Sequence, residues 1–297
     1  MSLVINHNMM AMNASRNLSN SYSALATSTK RLSSGLRINS SADDAAGLAI
    51  RELMRSDISA INQGVRNAND AISMIQTADG ALQVVDEKLI RMKELAEQAA
   101  TGTYTSDQRL IIDSEYQAMA SEITRIANAT DFNGIYLLNG NLSGATHNGS
   151  GINATGKLKV HFGSGNASAE DYYYVQIGTS TASALGVGIG AAAGKAGRSI
   201  STQQQAQEAL DAIKTAIVSK DKIRANLGAL QNRLENTISN LQIQAENLQA
   251  AESQISDVDV ATEMTQFVRE QILTQSAVAM LSQANSLPKM AMQLIGG

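Results

Sequence analysis

The histidines are the first residues whose type could carry chemistry, but their spacing supports none. His7, His147 and His161 lie far apart in the sequence, and none belongs to an HExxH pattern that would place two zinc ligands on one helix face. They suggest no Ser/His/Asp arrangement. The chain also lacks cysteine, which excludes disulfides, thiolate catalysis and zinc–thiolate sites. We therefore predict no catalytic residue and no metal ligand.

A glycine-rich segment, GVGIGAAAGKAGRS at 186–199, resembles a phosphate-binding loop only in composition. Three residues separate Gly190 from Gly194 where that motif needs four, and Ala196 stands in place of the hydroxyl residue that binds Mg²⁺. A partial dinucleotide fingerprint in the same segment has Ala191 in place of its third glycine, and no βαβ pattern frames it. The segment is therefore predicted to be a flexible surface loop, and we expect no cofactor.

Two adjacent acids, Asp43 and Asp44, lie in the stretch SSGLRINSSADDAAGLAI at 33–50. Successive side chains point in different directions, so the pair does not indicate a general acid and base. Asp43 or Ser41 can instead cap a new helix, because a short oxygen-bearing side chain accepts hydrogen bonds from the first turn. The stretch is therefore predicted to be a joint between two helical segments.

The elements on either side of this joint show helical periodicity. After it, apolar residues recur every three or four positions from Met54 to Ala99, which predicts a helix from about Ala45 to Ala100, roughly 80 Å long. Before it, the same spacing begins at Ala11. A third helix follows Gly102. A second long helix is expected from Ser201 or Thr202, and a last amphipathic helix after Asp257 and Asp259.

Positions 141–200 differ in character, being rich in Gly, Ser, Thr, Asn and Ala. Two strand-like runs, KLKVHFG and DYYYVQIG, predict a β-hairpin. The predicted fold class is therefore mainly α, an elongated coiled-coil or helical-bundle rod with a small β-hairpin region. Both chain ends are predicted to form amphipathic helices.

Composition limits the classes of partner. The formal net charge is −4, and there is no run of five Lys or Arg, which argues against nucleic acid and anionic lipid. The uncharged stretch at 271–288 contains eight Gln, Ser, Thr or Asn residues, so no membrane span is predicted. The first fifteen residues show no cleavable signal-sequence pattern.

Three segments resemble the signature segments of bacterial flagellin. They are SSGLRINSSADDAAGLAI, TDFNGIYLLNG and ANLGALQNRLENTISNLQIQAENLQAAESQISDVDVATEM. The resemblance covers about residues 1–140 and 200–297, and leaves only the middle of the chain outside it. It implies a structural subunit, without enzymatic activity, that self-assembles into the extracellular flagellar filament. A helical filament follows when identical subunits make head-to-tail contacts that do not close.

The resemblance also implies a domain organisation. Residues 1–42 would form an inner coiled-coil helix with its joint, and 257–297 the returning inner helix, so that the N- and C-termini pair in an inner helical domain. Residues 43–140 and 201–256 would form the rod helices, with the hairpin and a small outer excursion at 141–200. The terminal segments are expected to become ordered on assembly, with contacts to other terminal helices, within and between subunits, made by seven apolar residues: Leu18, Leu25, Leu32, Phe267, Ile272, Val278 and Leu281.

Partners follow from the same resemblance. They are further copies of the chain, an export chaperone, the filament cap and hook-junction proteins. The resemblance also implies that the chain is exported unfolded through the flagellar type III apparatus. Some flagellins also bind the vertebrate flagellin-sensing Toll-like receptor, and the stretch IRMKELAEQ carries that contact over to Arg91, Leu95 and Glu115. Arg91 and Leu95 are four residues apart and are expected to share a helix face.

Two other functions remain open at this stage. A hook–filament junction protein has similar ends and a similar length. An enzyme displayed on a filament would need a catalytic insert in the centre, where the only acids are Glu170 and Asp171. The Ser/Thr/Asn-rich positions 141–185 are a candidate region for O-glycosylation, with an unmodified solvated loop as the alternative.

Overall fold

The computed structural model describes residues 7–144, 146, 156–168, 170–191 and 195–295; the candidate His147 lies outside them. The described chain is mainly α-helical, as predicted. Its helices are α1 (Met9–Ser34), α2 (Ala45–Ala100), α3 (Ser106–Ala129), α4 (Ala182–Leu185), α5 (Gln203–Ser256) and α6 (Val260–Ile295). Its strands are β1 (Asp131–Phe132), β2 (Ile135–Tyr136), β3 (Leu158–His161) and β4 (Tyr172–Val175).

The chain divides into two compact units. One comprises Met1–Ile58 with Glu246–Gly297, and the other Ser59–Ala245. The second unit contains both large hydrophobic clusters of the protein. One cluster joins α2, α3, α4 and α5, and the other joins α2 and α5 to the strands and to the leucines at 137, 138 and 142.

The predicted periodicity of α2 is confirmed. The helix runs from Ala45 to Ala100, and every residue of the predicted apolar seam is buried or half-buried. The buried stripe is wider than that seam, because Ala71, Met74 and Leu95 are also in the core. A helix that packs against more than one neighbour needs such a broad apolar face.

Charged pairs link α2 to α5 beside this core. The buried Lys220 ammonium lies 2.6 Å from Asp86 and 2.8 Å from Asp221. One turn further along α5, Arg224 Nε donates to Asp79 at 2.7 Å, and this hydrogen bond holds the pKa of the Asp79 carboxyl below its usual value. A buried ammonium must be paired because desolvation of an isolated charge is costly.

Both hairpins follow from local sequence. In DFNGIY the two turn residues, Asn133 and Gly134, have φ angles of 52° and 79°, the left-handed pair that a two-residue hairpin turn requires. The predicted KLKVHFG and DYYYVQIG hairpin is confirmed as β3 and β4, which pair antiparallel with Lys159 opposite Tyr174 and His161 opposite Tyr172.

The end of β3 touches α2 at a glycine. A Cβ added at Gly64 would lie 1.9 Å from the carbonyl oxygen of Phe162, so no side chain fits there without a backbone shift. One turn later, Asn67 Nδ2 donates to the His161 carbonyl at 2.9 Å. Gly64 therefore allows a direct helix-to-hairpin contact, and Asn67 fixes it.

The described part of the glycine-rich segment differs from the predicted flexible loop, because α3 anchors it. The buried Tyr116 hydroxyl donates to the Gly197 carbonyl at 2.7 Å, and burial raises its pKa well above the usual value. Gln117 Nε2 donates to the Arg198 carbonyl, and its Oε1 accepts from the Ile189 N–H, each at 2.7 Å. Composition alone does not reveal these long-range contacts.

Candidate assembly site at the chain ends

Helices α1 and α6 pair antiparallel within the first unit. Asn8, the N-cap of α1, donates from Nδ2 to the carbonyl of Ala284 at 2.8 Å. Near the other end, Arg31 lies 3.6 Å from Glu263. Numbering rises along α1 as it falls along the facing part of α6, so the two ends of the chain run in opposite directions.

The face of α6 that lies in this pair is unusually polar. Its buried and half-buried residues recur at alternating intervals of four and three: Glu263, Phe267, Glu270, Thr274, Ala277, Leu281 and Ala284. Ser28 is buried on α1. Within the described residues, neither Arg31 Nε nor Glu263 Oε1 has a hydrogen-bond partner. Such a seam stabilises the pair less than an apolar one, because buried polar atoms lose hydration.

Many large apolar side chains of the same helices are nevertheless exposed. On α6 the exposed set is Val260, Met264, Val268, Ile272, Leu273, Val278, Met280 and Met290. On α1 it is Met9, Met10, Met12 and Tyr22. Large exposed apolar surfaces of this kind mark protein–protein contact sites.

The predicted assembly residues fall into two groups. Ile272 and Val278 are 57% and 48% exposed. The others are half-buried: Leu18, Leu25, Leu32, Phe267 and Leu281. Only the first group presents most of its surface to a further molecule, so the apolar positions of these helices are divided between an inner and an outer role.

The joint at 33–50 pairs with its counterpart near the C-terminus. Leu36 forms an antiparallel bridge with Asp257, the Arg37 N–H donates to the Ser256 carbonyl at 2.7 Å, and the Val258 N–H donates to the Gly35 carbonyl at 3.0 Å. Gly35 ends α1 with φ 71°, a conformation that glycine adopts without strain. The segment that follows α1 and the segment that precedes α6 therefore lie side by side.

The predicted helix cap at this joint is wrong by one residue. The Gly47 N–H donates to Asp44 Oδ1 at 2.9 Å, so Asp44 caps α2 rather than Asp43 or Ser41. Asp43 faces backward and accepts from the hydroxyl of Ser40 and the N–H of Asn39. These hydrogen bonds lower the pKa of the Asp43 carboxyl. Asp43 thus closes the preceding turn while Asp44 begins the helix.

Sequence reasoning missed Arg51. This side chain is buried, and its Nη1 donates to the carbonyl of Ile38 at 2.8 Å. Ile38, also buried, follows the backbone bridge of the joint. The available signal was a basic residue on the inner face of α2. Its partner could not be predicted, because a backbone carbonyl leaves no trace in the pattern of side chains.

The predicted receptor-binding residues do not all lie on the surface. Arg91 Nη2 lies 2.8 Å from Glu115 Oε1 on the surface, and this hydrogen bond, together with one to Glu94, raises the pKa of Arg91. Leu95 is only 1% exposed and belongs to the core of α2 and its neighbours. The prediction that Arg91 and Leu95 share an accessible face is therefore wrong, because the wide buried stripe of α2 includes Leu95.

Paired terminal helices that leave this many large apolar side chains exposed are typical of self-assembling subunits. Comparison with known families agrees: the bacterial flagellin N-terminal helical region matches residues 5–143, and the bacterial flagellin C-terminal helical region matches residues 210–295. Among the described residues, no helix is both long and apolar enough to cross a membrane.

Relatives match over the whole length. A flagellin of Halalkalibacterium halodurans is 42% identical, covering 99% of this chain and 100% of that one. Flagellin FlaB2 of Treponema pallidum is 41% identical over the same shares, and a Bacillus subtilis flagellin is 41% identical over 98% of this chain and 99% of its own. The chain therefore belongs to the bacterial flagellins, structural subunits of the extracellular flagellar filament.

The solved structures include a hook-associated protein of Vibrio parahaemolyticus. It matches with a TM-score of 0.55 and 18% identity, covering 72% of this chain and 100% of that one. At this identity the likeness concerns the fold alone. The whole-length matches are with flagellins, which favours the filament subunit over the hook–filament junction protein that the sequence left open.

Proposed function

We propose that copies of this flagellin contact one another through the exposed apolar faces of α1 and α6. The observation that carries the proposal is the reversed distribution of side chains: Glu263 is only 9% exposed whereas Ile272 is 57% exposed on the same helix. Burial of exposed apolar surface is the main favourable term in association. Neighbouring copies would supply burial that α1 and α6 do not give each other.

The same arrangement fits a structural role without catalysis. A weakly paired set of terminal helices is also compatible with export of the unfolded chain through the flagellar type III apparatus, followed by ordering on assembly. Besides further copies, the proposed partners are an export chaperone, the filament cap and hook-junction proteins. O-glycosylation within 141–185 stays a prediction.

Paired substitutions on α6 test the assembly surface. Val268→Ser with Ile272→Ser removes two exposed apolar side chains, each worth about 1.5–3 kcal/mol if fully buried between copies. We expect the critical concentration for polymerisation to rise by at least about 100-fold. Turbidity and sedimentation of seeded subunits measure it.

The matched control changes two exposed polar residues with the same spacing on the same helix, Gln271→Ser with Gln275→Ser. It imposes a loss of helix propensity at least as large as that of the apolar variant but leaves the apolar surface intact. We expect less than about a threefold change. Equal effects of the two pairs, or normal assembly of the apolar variant, would contradict the proposed surface.

We also propose that Arg91 and Glu115 contribute to binding of the vertebrate flagellin-sensing Toll-like receptor. The proposal is supported by a solvent-exposed charged pair that joins α2 to α3, while Leu95 packs in the core beneath this pair.

Arg91→Ala should weaken receptor binding by about fivefold or more, because charges at the rim of an interface steer and orient the partner. Lys93→Ala, which removes an exposed cation two residues further along α2, serves as the control. Unchanged binding of the Arg91 variant to the receptor ectodomain refutes the assignment.

A further inference from the structure

The outer face of the β3–β4 hairpin combines cations with tyrosines. In the antiparallel register, Lys159 lies opposite Tyr174 and His161 opposite Tyr172, so these four side chains share one face. The alternate pairs, Leu158 with Val175 and Val160 with Tyr173, lie on the other face. Val160 and Val175 are buried there in the core of the second unit. The cationic and aromatic face is therefore the one turned away from the core.

The four side chains form a contiguous cluster. Lys159 Nζ lies 3.6 Å from the centroid of the Tyr172 ring, and the His161 and Tyr172 rings stack with centroids 6.0 Å apart. The Tyr172 and Tyr174 rings meet edge to face at 5.4 Å. Tyr174 is 41% exposed. The face thus places the Lys159 ammonium, which packs on the Tyr172 ring, beside the exposed ring of Tyr174 and the phenolic hydroxyls.

The acids near this hairpin leave the charge of the face positive. Asp171 accepts from the N–H groups of Gly165 and Ala167, so its carboxylate is used inside the connecting loop. Glu170 lines a groove with Phe162, Tyr173 and α5, away from the cationic face. Among the described residues, Lys159 Nζ also lies 3.5 Å from Asn166 Oδ1. Lys159 therefore has no carboxylate partner among the described residues.

We propose that this hairpin face binds a uronate-bearing polysaccharide. A carboxylate on a sugar ring would pair with Lys159, while the C–H surface of the ring packs against Tyr174 and its hydroxyls hydrogen-bond to the tyrosines. The flagellar filament is extracellular, where such polymers occur. A nucleic acid is the competing occupant, because its phosphates could also pair with Lys159, and binding of an oligodeoxythymidylate tests for it.

Binding of polygalacturonate to the intact, unpolymerised subunit tests this proposal, so its outcome does not depend on the proposed assembly surface. We expect Lys159→Gln and Tyr174→Ala each to weaken binding by about fivefold or more. Lys159→Arg and Tyr174→Phe should retain most of it, since charge and ring are kept. Lys222→Gln, which removes an exposed cation of α5, is the matched control and should change binding by less than about twofold.

Three results would overturn the inference. They are the absence of polygalacturonate binding by the unaltered subunit, equal losses in the Lys159→Gln and Lys222→Gln variants, and equally strong binding of an oligodeoxythymidylate. Dextran, a neutral polysaccharide, should bind at least about tenfold more weakly, because it lacks the carboxylate that pairs with Lys159. Circular dichroism of each variant confirms that a loss of binding does not reflect loss of the hairpin.

Discussion

Removal of both chain ends, leaving residues 45–256, is expected to abolish polymerisation while the remaining chain stays folded. All buried members of the two hydrophobic clusters lie between Ala68 and Leu234, so the deletion removes no buried member of either cluster. The deleted segments contain α1 and α6 with their exposed apolar faces. Assembly should therefore be lost without loss of the core.

The measurement combines seeded polymerisation with thermal unfolding followed by circular dichroism. We expect no sedimentable filament at any concentration at which the full chain assembles, and one cooperative unfolding transition for the truncated chain. A single-end deletion, residues 45–297, is the control that keeps α6 and its exposed stripe. Filaments from the doubly truncated chain would contradict the assembly role of the ends.

A related prediction concerns the order of the ends before assembly. Fixing about eighty terminal residues costs roughly 100 kcal/mol of conformational entropy. The seam of α1 and α6 recovers little of this, because Glu263, Glu270 and Thr274 occupy buried positions. We expect fast hydrogen exchange throughout α1 and α6 in the dilute subunit and strong protection in the filament. Slow exchange in the dilute subunit would show that the ends are stable alone.

The long helices could be predicted because their signal is local. The three- and four-residue spacing from Met54 to Ala99 depends only on which residues must face inward, and it set both ends of α2 correctly. The start of α5 was also predicted from sequence. Thr202, the residue directly before the helix, accepts a hydrogen bond from the Gln205 N–H. The β3–β4 hairpin followed from its Val and Tyr content in the same way.

The features that sequence did not reveal depend on distant partners. The short helix α4 and the segment after it are held by Tyr116 and Gln117, about 80 residues earlier in the chain. Leu95 was assigned to the receptor contact by resemblance, and its spacing of four from Arg91 suggested that the two share a helix face. Its burial reflects the additional packing of α3 on α2, which the seam alone does not contain.

The reversal of polarity on α6 was also invisible in the spacing. The apolar residues Val268 and Ile272, four apart, and the polar residues Glu263 and Glu270, seven apart, both recur at helical intervals, so either set could face α1. Only the position of α1 decides between them. The predicted list of assembly residues therefore mixed inward and outward positions.

The second large effect is expected at Gly64, whose replacement by alanine should destabilise the hairpin side of the core by about 3 kcal/mol. The new Cβ would lie 1.9 Å from the Phe162 carbonyl oxygen, and a backbone atom cannot move aside as a flexible side chain can. The hairpin must then shift, which also breaks the 2.9 Å hydrogen bond from Asn67 to His161. Denaturant unfolding should report the loss as a lower midpoint.

Gly80 on the same helix provides a control of opposite sign. No atom lies within 4 Å of a Cβ built there, so Gly80→Ala should stabilise the chain by about 0.5–1 kcal/mol through better helix propensity. If both substitutions raised the unfolding midpoint, the contact of α2 with the end of β3 would not be close in solution. Opposite shifts, with extra exchange of the amides of β3 in the Gly64 variant, would locate the strain at that contact, since Gly80 shares the helix but not the neighbour.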